Sequence, residues 1–212
     1  MVQKPVSSRP RGRPRAYDPD AALQAALETF WKRGLAGTSL DEIVAATGMN
    51  RPSLYAAFGD KRALYMKALA RYQAASAEAL RDALAADTSL ADALTWIFER
   101  AIALYVSGEG PARGCFSVST ATTEAIEDPE IRQMVADGTL RLDQAFEARI
   151  GRAQAEGDLP ASARPEALGA LCSATIHTLA VRARAGTPAE ALQELAAQAV
   201  EIICGSGSPK PR

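Results

Sequence analysis

Residues 38–65 read TSLDEIVAATGMNRPSLYAAFGDKRALY, and their punctuation decides the fold. Ser39 and Glu42 have the spacing of a capping box, in which the serine hydroxyl takes the N–H of residue 42 and the glutamate returns to the backbone of residue 39. A short helix is expected to follow, with Leu40, Ile43 and Val44 facing inward. It ends at Thr47-Gly48, where glycine takes the left-handed conformation that turns a chain sharply. Asn50 is a good cap for a second short helix, with Pro52 in its first turn and Leu54 and Phe58 as an inward i, i+4 pair. Gly59-Asp60 ends that helix and caps the next. Two short helices locked together across a glycine turn make a helix-turn-helix pattern. Its second helix fits the major groove and presents N-terminal side chains to base edges, while the first crosses the backbone. The exposed positions there are Asn50, Arg51, Pro52, Ser53 and Tyr55, all polar, compact or planar, and Arg51 has the fork that pairs bidentately with guanine.

On the N-terminal side, Asp18 caps a helix with Pro19 in its first turn. Leu23, Ala26, Leu27 and Phe30 recur there at helical spacing beside Trp31, until Gly34 and Gly37 bracket a stop. On the C-terminal side a long helix is expected from Asp60 to about Ala85, on a seam of Leu64, Ala68, Leu69, Tyr72, Ala79, Leu80 and Leu84. Further helices are read over residues 89–107, 116–125, 129–156, 165–185 and 188–204. Asp128-Pro129 marks one start and Thr187-Pro188, with Glu190 completing a box, another, whereas Arg164 before Pro165 is a poor cap. Neither a strand alternation nor an internal repeat is visible, so the chain reads as all-α with about nine helices.

The 212 residues are 48% hydrophobic and 23% charged, enough to fill a core. A net charge of −1 hides an asymmetry: residues 1–72 carry 12 Lys and Arg against 6 Asp and Glu, and the rest carry 12 against 19. Only the first third is built for a polyanion, and phosphates repel the acidic remainder. Cys115, Cys172 and Cys204 are odd in number and far apart, which speaks against a disulfide framework or zinc knuckle. No apolar run approaches bilayer length and the basic N-terminus lacks the apolar core of a signal peptide, so a cytoplasmic location is expected. The expected division is a flexible basic arm (1–17), a DNA-binding domain (18–72), a C-terminal effector and dimerisation domain (73–205) and a tail (206–212).

Within the arm, Arg11-Gly12-Arg13-Pro14-Arg15 resembles an AT-hook, whose guanidiniums fit the narrow minor groove of A·T tracts. A tail that merely adds positive charge is the other reading, and the two differ in their dependence on DNA sequence.

From about Tyr17 to Tyr72 the sequence resembles the TetR/AcrR family of bacterial repressors. RPSLYAAFGDKRALY is similar to the family's recognition helix, turn and start of helix 4, with its tyrosine, phenylalanine and lysine on Tyr55, Phe58 and Lys61. Val44 departs from the smaller alanine usual there. The resemblance implies that Thr38, Ser39, Tyr55 and Lys61 contact phosphates and that Arg51, Pro52, Ser53 and Ala56 approach bases. The first group positions the protein and the second specifies the sequence.

Beyond Tyr72 the resemblance lies in helix count and order. It implies a small-molecule cavity enclosed by helices 5 to 7 under helix 4, and a homodimer formed through the last two helices. Candidate cavity residues are Trp96, Phe98, Tyr105, Cys115, Phe116, Met134, Phe146 and His177, being aromatic, soft or polar within apolar seams. Arg113-Gly114-Cys115-Phe116 resembles a turn in one branch of the family, some members of which respond to metals or thiol-reactive compounds. Cys115 is thus either a sensor, its thiolate favoured by Arg113 and a helix N-terminus, or an inert core thiol. No metal site or cofactor is indicated. One histidine, no nucleophile elbow, no H-E-x-x-H and no phosphate loop leave an enzyme without equipment. The expected function is a ligand-responsive regulator, in the first instance a repressor, that binds a palindromic operator as a dimer and is released by a small effector. The alternative is an architectural DNA-binding protein without an effector.

Overall fold

The computed structural model describes residues 18–108 and 110–205. The arginines of the basic arm, Arg11, Arg13 and Arg15, and the tail from residue 206 lie outside the described residues.

Nine α-helices and one π turn make up the described residues, with no strand among them. Helix α1 (Pro19–Gly37) starts where the Asp18 carboxylate accepts the N–H of Asp20, and it breaks at Gly34 (φ 73°). Helices α2 (Leu40–Thr47) and α3 (Arg51–Phe58) flank a three-residue turn. Its Gly48 sits at φ 65°, ψ 10°, a left-handed conformation that a side chain makes costly. The capping box forms as expected: Ser39 Oγ accepts from Glu42 N–H at 3.2 Å and Glu42 Oε2 accepts from Ser39 N–H at 2.8 Å. Asn50 caps α3 at Ser53 N–H, 2.9 Å, and Asp60 caps α4 at Ala63 N–H, 2.7 Å.

Helix α4 (Lys61–Ala85) runs about 38 Å at 1.5 Å per residue. Its first half closes the three-helix head through Leu64, Tyr65, Ala68 and Leu69, and its second half forms a wall of the C-terminal part. Helices α5 (Leu90–Val106), α7 (Pro129–Glu156), α8 (Pro165–Arg184) and α9 (Ala189–Cys204) complete that part. Between α5 and α7 the chain winds as a π turn (Ser117–Ala121) into the single turn α6 (Thr122–Glu124). One cluster of buried apolar side chains extends from Ala22 to Ile203, continuous through the head and the C-terminal part. Helix α8 lies hard against α7 because residue 169 is glycine: a Cβ there would meet Glu147 N at 2.8 Å and Asp143 O at 2.9 Å.

Two boundaries differ from the expectation. The box expected at Thr187 and Glu190 does not form, and α9 has no side-chain cap. Pro188 sits at φ −58°, ψ 148°, so the proline is itself the capping residue and Thr187 falls one position outside. The helix expected over 116–125 is wound mainly as a π turn, in which Thr120 Oγ1 donates back to Phe116 O at 2.8 Å and Thr122 Oγ1 to Val118 O at 2.8 Å.

Candidate nucleic-acid interface and ligand cavity

Helix α3 buries Leu54 and Phe58 and exposes Arg51, Pro52, Tyr55 and Ala56, with Ser53 half-buried. The face it presents to solvent is therefore the one assigned to base contacts. Arg51 does not stand free: its Nη2 donates to Asp41 Oδ1 on α2 at 2.6 Å. That hydrogen bond, with the charge of Asp41, holds the guanidinium above its ordinary pKa. Ser39 and Asn50 are exposed at the N-termini of α2 and α3, their side-chain oxygens already engaged in capping. Tyr55 stands out beside them.

Two of the residues assigned to phosphate sit deeper than the sequence implies. Thr38 is 2% exposed, and its hydroxyl donates to Gly34 O at 2.6 Å, closing the break at the end of α1. Its side chain is therefore occupied within the fold. Lys61 is half-buried with its Nζ donating to Thr38 O at 2.9 Å, so the ammonium joins the start of α4 to the α1–α2 corner.

The C-terminal part contains a cavity of about 1100 Å³ between α4, α5, α7 and α8, reaching the π turn. Of the candidates named from sequence, Trp96, Tyr105, Cys115 and His177 line it. Phe98, Phe116, Met134 and Phe146 do not. Phe98, Phe116 and Phe146 are fully buried rings in the core, Phe116 among the rings of Trp31, Tyr65 and Tyr72. Half-buried Met134 packs against the same core. Burial holds His177 below its ordinary pKa, with Asp143 acting against the shift.

Sequence reasoning missed most of the polar wall. Tyr72, Gln73 and Ser76 of α4 line the cavity together with Arg81, Arg100, Arg141, Arg149 and Arg152. Tyr72 donates its hydroxyl to Cys115 Sγ at 3.2 Å. Desolvation, then the neighbouring Cys115, pushes both Tyr72 and Tyr105 well above the usual tyrosine range. Arg113, expected beside Cys115, is instead engaged by Glu28 at 2.7 Å and lies 4.0 Å over the Trp31 ring. A signal for the arginines was present in the sequence: Arg149 follows Phe146 by three residues and precedes Ala153 by four, which places it on the apolar stripe of its helix.

The cavity and the head share walls. Trp31 of α1 meets Tyr72 edge-on at 4.9 Å, and Phe116 lies between 5.5 and 5.7 Å from Trp31, Tyr65 and Tyr72. Tyr65 bonds Thr120 at 2.8 Å; the threonine's single proton is given to Phe116 O, so the phenol is the donor. Glu124 Oε1 accepts from Ala36 N–H at 3.1 Å. At the start of α4, Arg62 donates from Nε and Nη2 to both carboxylate oxygens of Asp128, at 2.6 and 2.8 Å, and from Nη2 to Glu130 at 3.0 Å.

Residues 22–68 match the family described as bacterial regulatory proteins, tetR family, and residues 91–199 match the tetracyclin repressor-like C-terminal domain. The chain is 30% identical over 195 residues to the HTH-type transcriptional repressor ComR of Escherichia coli (strain K12), covering 91% of each. It is also 30% identical over 203 residues to the HTH-type transcriptional repressor BdcR of the same organism, covering 96% of this chain and 97% of BdcR. Among solved structures, a cysteine mutant of the TetR family transcriptional regulator CifR, complexed with 26bp double-strand operator DNA, aligns with a TM-score of 0.81 and 34% identity. The alignment covers 89% of this chain and 98% of CifR.

Proposed function

This chain belongs to the TetR family of bacterial regulatory proteins, and from that premise we propose that it is a repressor that binds a palindromic operator as a homodimer and is released by a small effector. The division of labour follows the expected one, with residues 18–72 on DNA and residues 73–205 sensing and pairing. Arg51, Pro52, Ser53 and Ala56 read base edges, while Ser39, Tyr55 and Lys61 position the head on phosphates. Thr38 contributes through its backbone and through Lys61, since its hydroxyl is spent on Gly34. The protein works in the cytoplasm, where its DNA is.

The observation that carries the effector reading is that Tyr72 is at once a wall of the cavity and a packing partner of Trp31 in α1. A ligand that displaces Tyr72, midway along α4, moves the contact that sets α1 against α4, and α4 carries Lys61 at its N-terminus. The head therefore shifts as a unit and the paired recognition helices leave their spacing of about one DNA turn, roughly 34–36 Å. An architectural protein without an effector has no use for a void of about 1100 Å³, slightly larger than the roughly 300–1000 Å³ of ordinary ligand sites.

Release requires the effector to prefer the DNA-free state, and the coupling is reciprocal. For a 100-fold loss of operator affinity the coupling is about 2.7 kcal/mol, and saturating operator weakens effector binding by the same 100-fold. Fluorescence anisotropy of labelled operator, screened against metabolites, metals and electrophiles, identifies the effector, and calorimetry with and without operator tests reciprocity. An effector that releases DNA at equilibrium yet binds equally well in both states would refute the mechanism.

A further inference from the structure

We infer that the cavity takes an elongated organic anion, an apolar body bearing a carboxylate or phosphate head, with the head held by Arg149 and Arg152. This rests on the reading of the cavity as the effector site. The first ground is charge. Residues 73–212 hold more acids than bases, 19 against 12, yet among the described residues five arginines and no Asp or Glu line the cavity. A wall of one sign inside a domain of the opposite net sign selects its ligand by charge.

The second ground is an unmet demand. Arg149 is 3% exposed, and no carboxylate lies within ion-pair distance of it among the described residues. Its Nη2 donates to Thr88 O at 2.7 Å, while its Nε and Nη1 are buried without a partner. Arg152 likewise uses Nη2 on Leu84 O and Ala86 O, both at 3.2 Å, and leaves Nε buried without a hydrogen bond, 3.9 Å from Glu156. Holding the α4–α5 corner thus explains one amino group of each guanidinium and leaves Arg149 Nε and Nη1 and Arg152 Nε without a hydrogen bond. Glu156 and Asp158 act on Arg149 only from beyond ion-pair distance, so no carboxylate closes its fork, and a bidentate carboxylate or phosphate is the group that matches a guanidinium fork.

The third ground is shape. The α4 wall extends from Tyr72 to Ala85, about 20 Å of helix, with Arg149 and Arg152 at its far end and Tyr72 and Cys115 at the end nearer the head. An anion seated on the two arginines lays its apolar body along Leu80, Ile97 and Leu104 toward Tyr72. Arg81, Arg100 and Arg141, all exposed, give the approach the same sign.

The test uses the full chain without DNA and calorimetric titration of decanoate, decyl phosphate, decanol and decyltrimethylammonium at fixed salt. At least one of the two anions is expected to bind tenfold or more tighter than decanol and the cation, and the better anion identifies the head group. Arg149→Met and Arg149→Lys follow. The methionine variant is expected to remove that tenfold advantage while leaving decanol binding unchanged, and the lysine variant to keep part of it. Anions that bind no tighter than decanol, or an advantage that survives in Arg149→Met with Arg152→Met, overturn the inference. The wild-type series decides even if a variant fails to fold. Operator release measured in parallel separates the two claims. An anion that binds tightly without releasing operator sinks the effector reading and leaves the anion site standing; a neutral or cationic compound that releases operator while the anions do not bind does the reverse.

Discussion

Arg51 and Lys61 illustrate how much a single side chain's partners alter its reading. Both are basic residues in the stretch expected to contact DNA, but they are held differently. Arg51 lies in an exposed pair with Asp41, and such a pair stabilises little and is readily exchanged. On the operator, guanine or phosphate is expected to replace Asp41. Lys61 is half-buried and bonded to Thr38 O, so it acts from a fixed place. Arg51→Ala is therefore expected to reorder the affinities of operator variants, with the change concentrated at one base pair of each half-site. Lys61→Ala is expected to weaken all variants alike and to lower the salt slope by about one contact. Binding isotherms on a panel of operator variants at several salt concentrations separate the two; proportional losses on every variant for both substitutions would collapse the distinction.

At the scale of elements, helix ends hold the head in place. The Ser39–Glu42 box satisfies two donors of an eight-residue helix, too short to persist on its own propensity. The bonds from Ser39 also pull the Glu42 carboxyl below its ordinary pKa. Ser39→Ala is expected to destabilise the protein by about 1 kcal/mol, or roughly 2–4 °C in Tm, and Ser39→Gly by a fraction of that. Equal losses for the two in thermal unfolding would point away from capping. Asp128 does double duty: it caps α7 at Glu130 and Ile131 N–H and takes the bidentate Arg62 from α4. Arg62, aided by those two amides and opposed by desolvation, draws its carboxyl down to about 2. Because the folded value lies below the unfolded one of about 3.9, the carboxylate stabilises the fold fully above about pH 4, and this is lost as pH falls toward 2. Asp128→Asn keeps a capping oxygen but no charge for Arg62, so its Tm is expected to fall less steeply between pH 4 and 2 than that of the wild type. Parallel acid limbs would remove Asp128 from the account.

For the whole molecule, the question is what covers α8 and α9. Leu171, Ala174 and Val181 lie on one exposed stripe of α8 at spacings of three and seven, and Ile202 of α9 is 72% exposed. Leu179, Leu192 and Ile203 of these helices are consumed by the chain's own core, in which α5 and α7 pack against them. The exposed stripe suits a second copy packing α8 and α9 into a four-helix bundle. Leu171→Glu with Val181→Glu places like charges across such an axis. The variant is expected to sediment as a folded monomer and to bind the palindrome about 100-fold or more weakly, because the second half-site is no longer delivered by the first. A variant that stays dimeric would move the interface elsewhere.

The sequence by itself determined the helices and the helix-turn-helix. Caps, glycine turns and i, i+4 apolar pairs act within a few residues, so Ser39, Gly48, Asn50 and Asp60 do in the structure what their spacing dictates. Where two local signals competed, as at Thr187-Pro188, the proline's own geometry set the boundary. The cavity was another matter. Phe98, Phe116 and Phe146 carry the same apolar signature as wall residues, and only the packing of α5 against α8 and α9, of α7 against α8 and of Phe116 against Trp31, Tyr65 and Tyr72 decided that they fill the core. The same packing gathered five arginines from three helices, with as many as 70 residues between them in the chain, onto one wall. Local rules cannot assemble such a wall, because which face of a helix is covered depends on neighbours that are distant in sequence, and burial of a charge such as Arg149 arises only when those neighbours close around it.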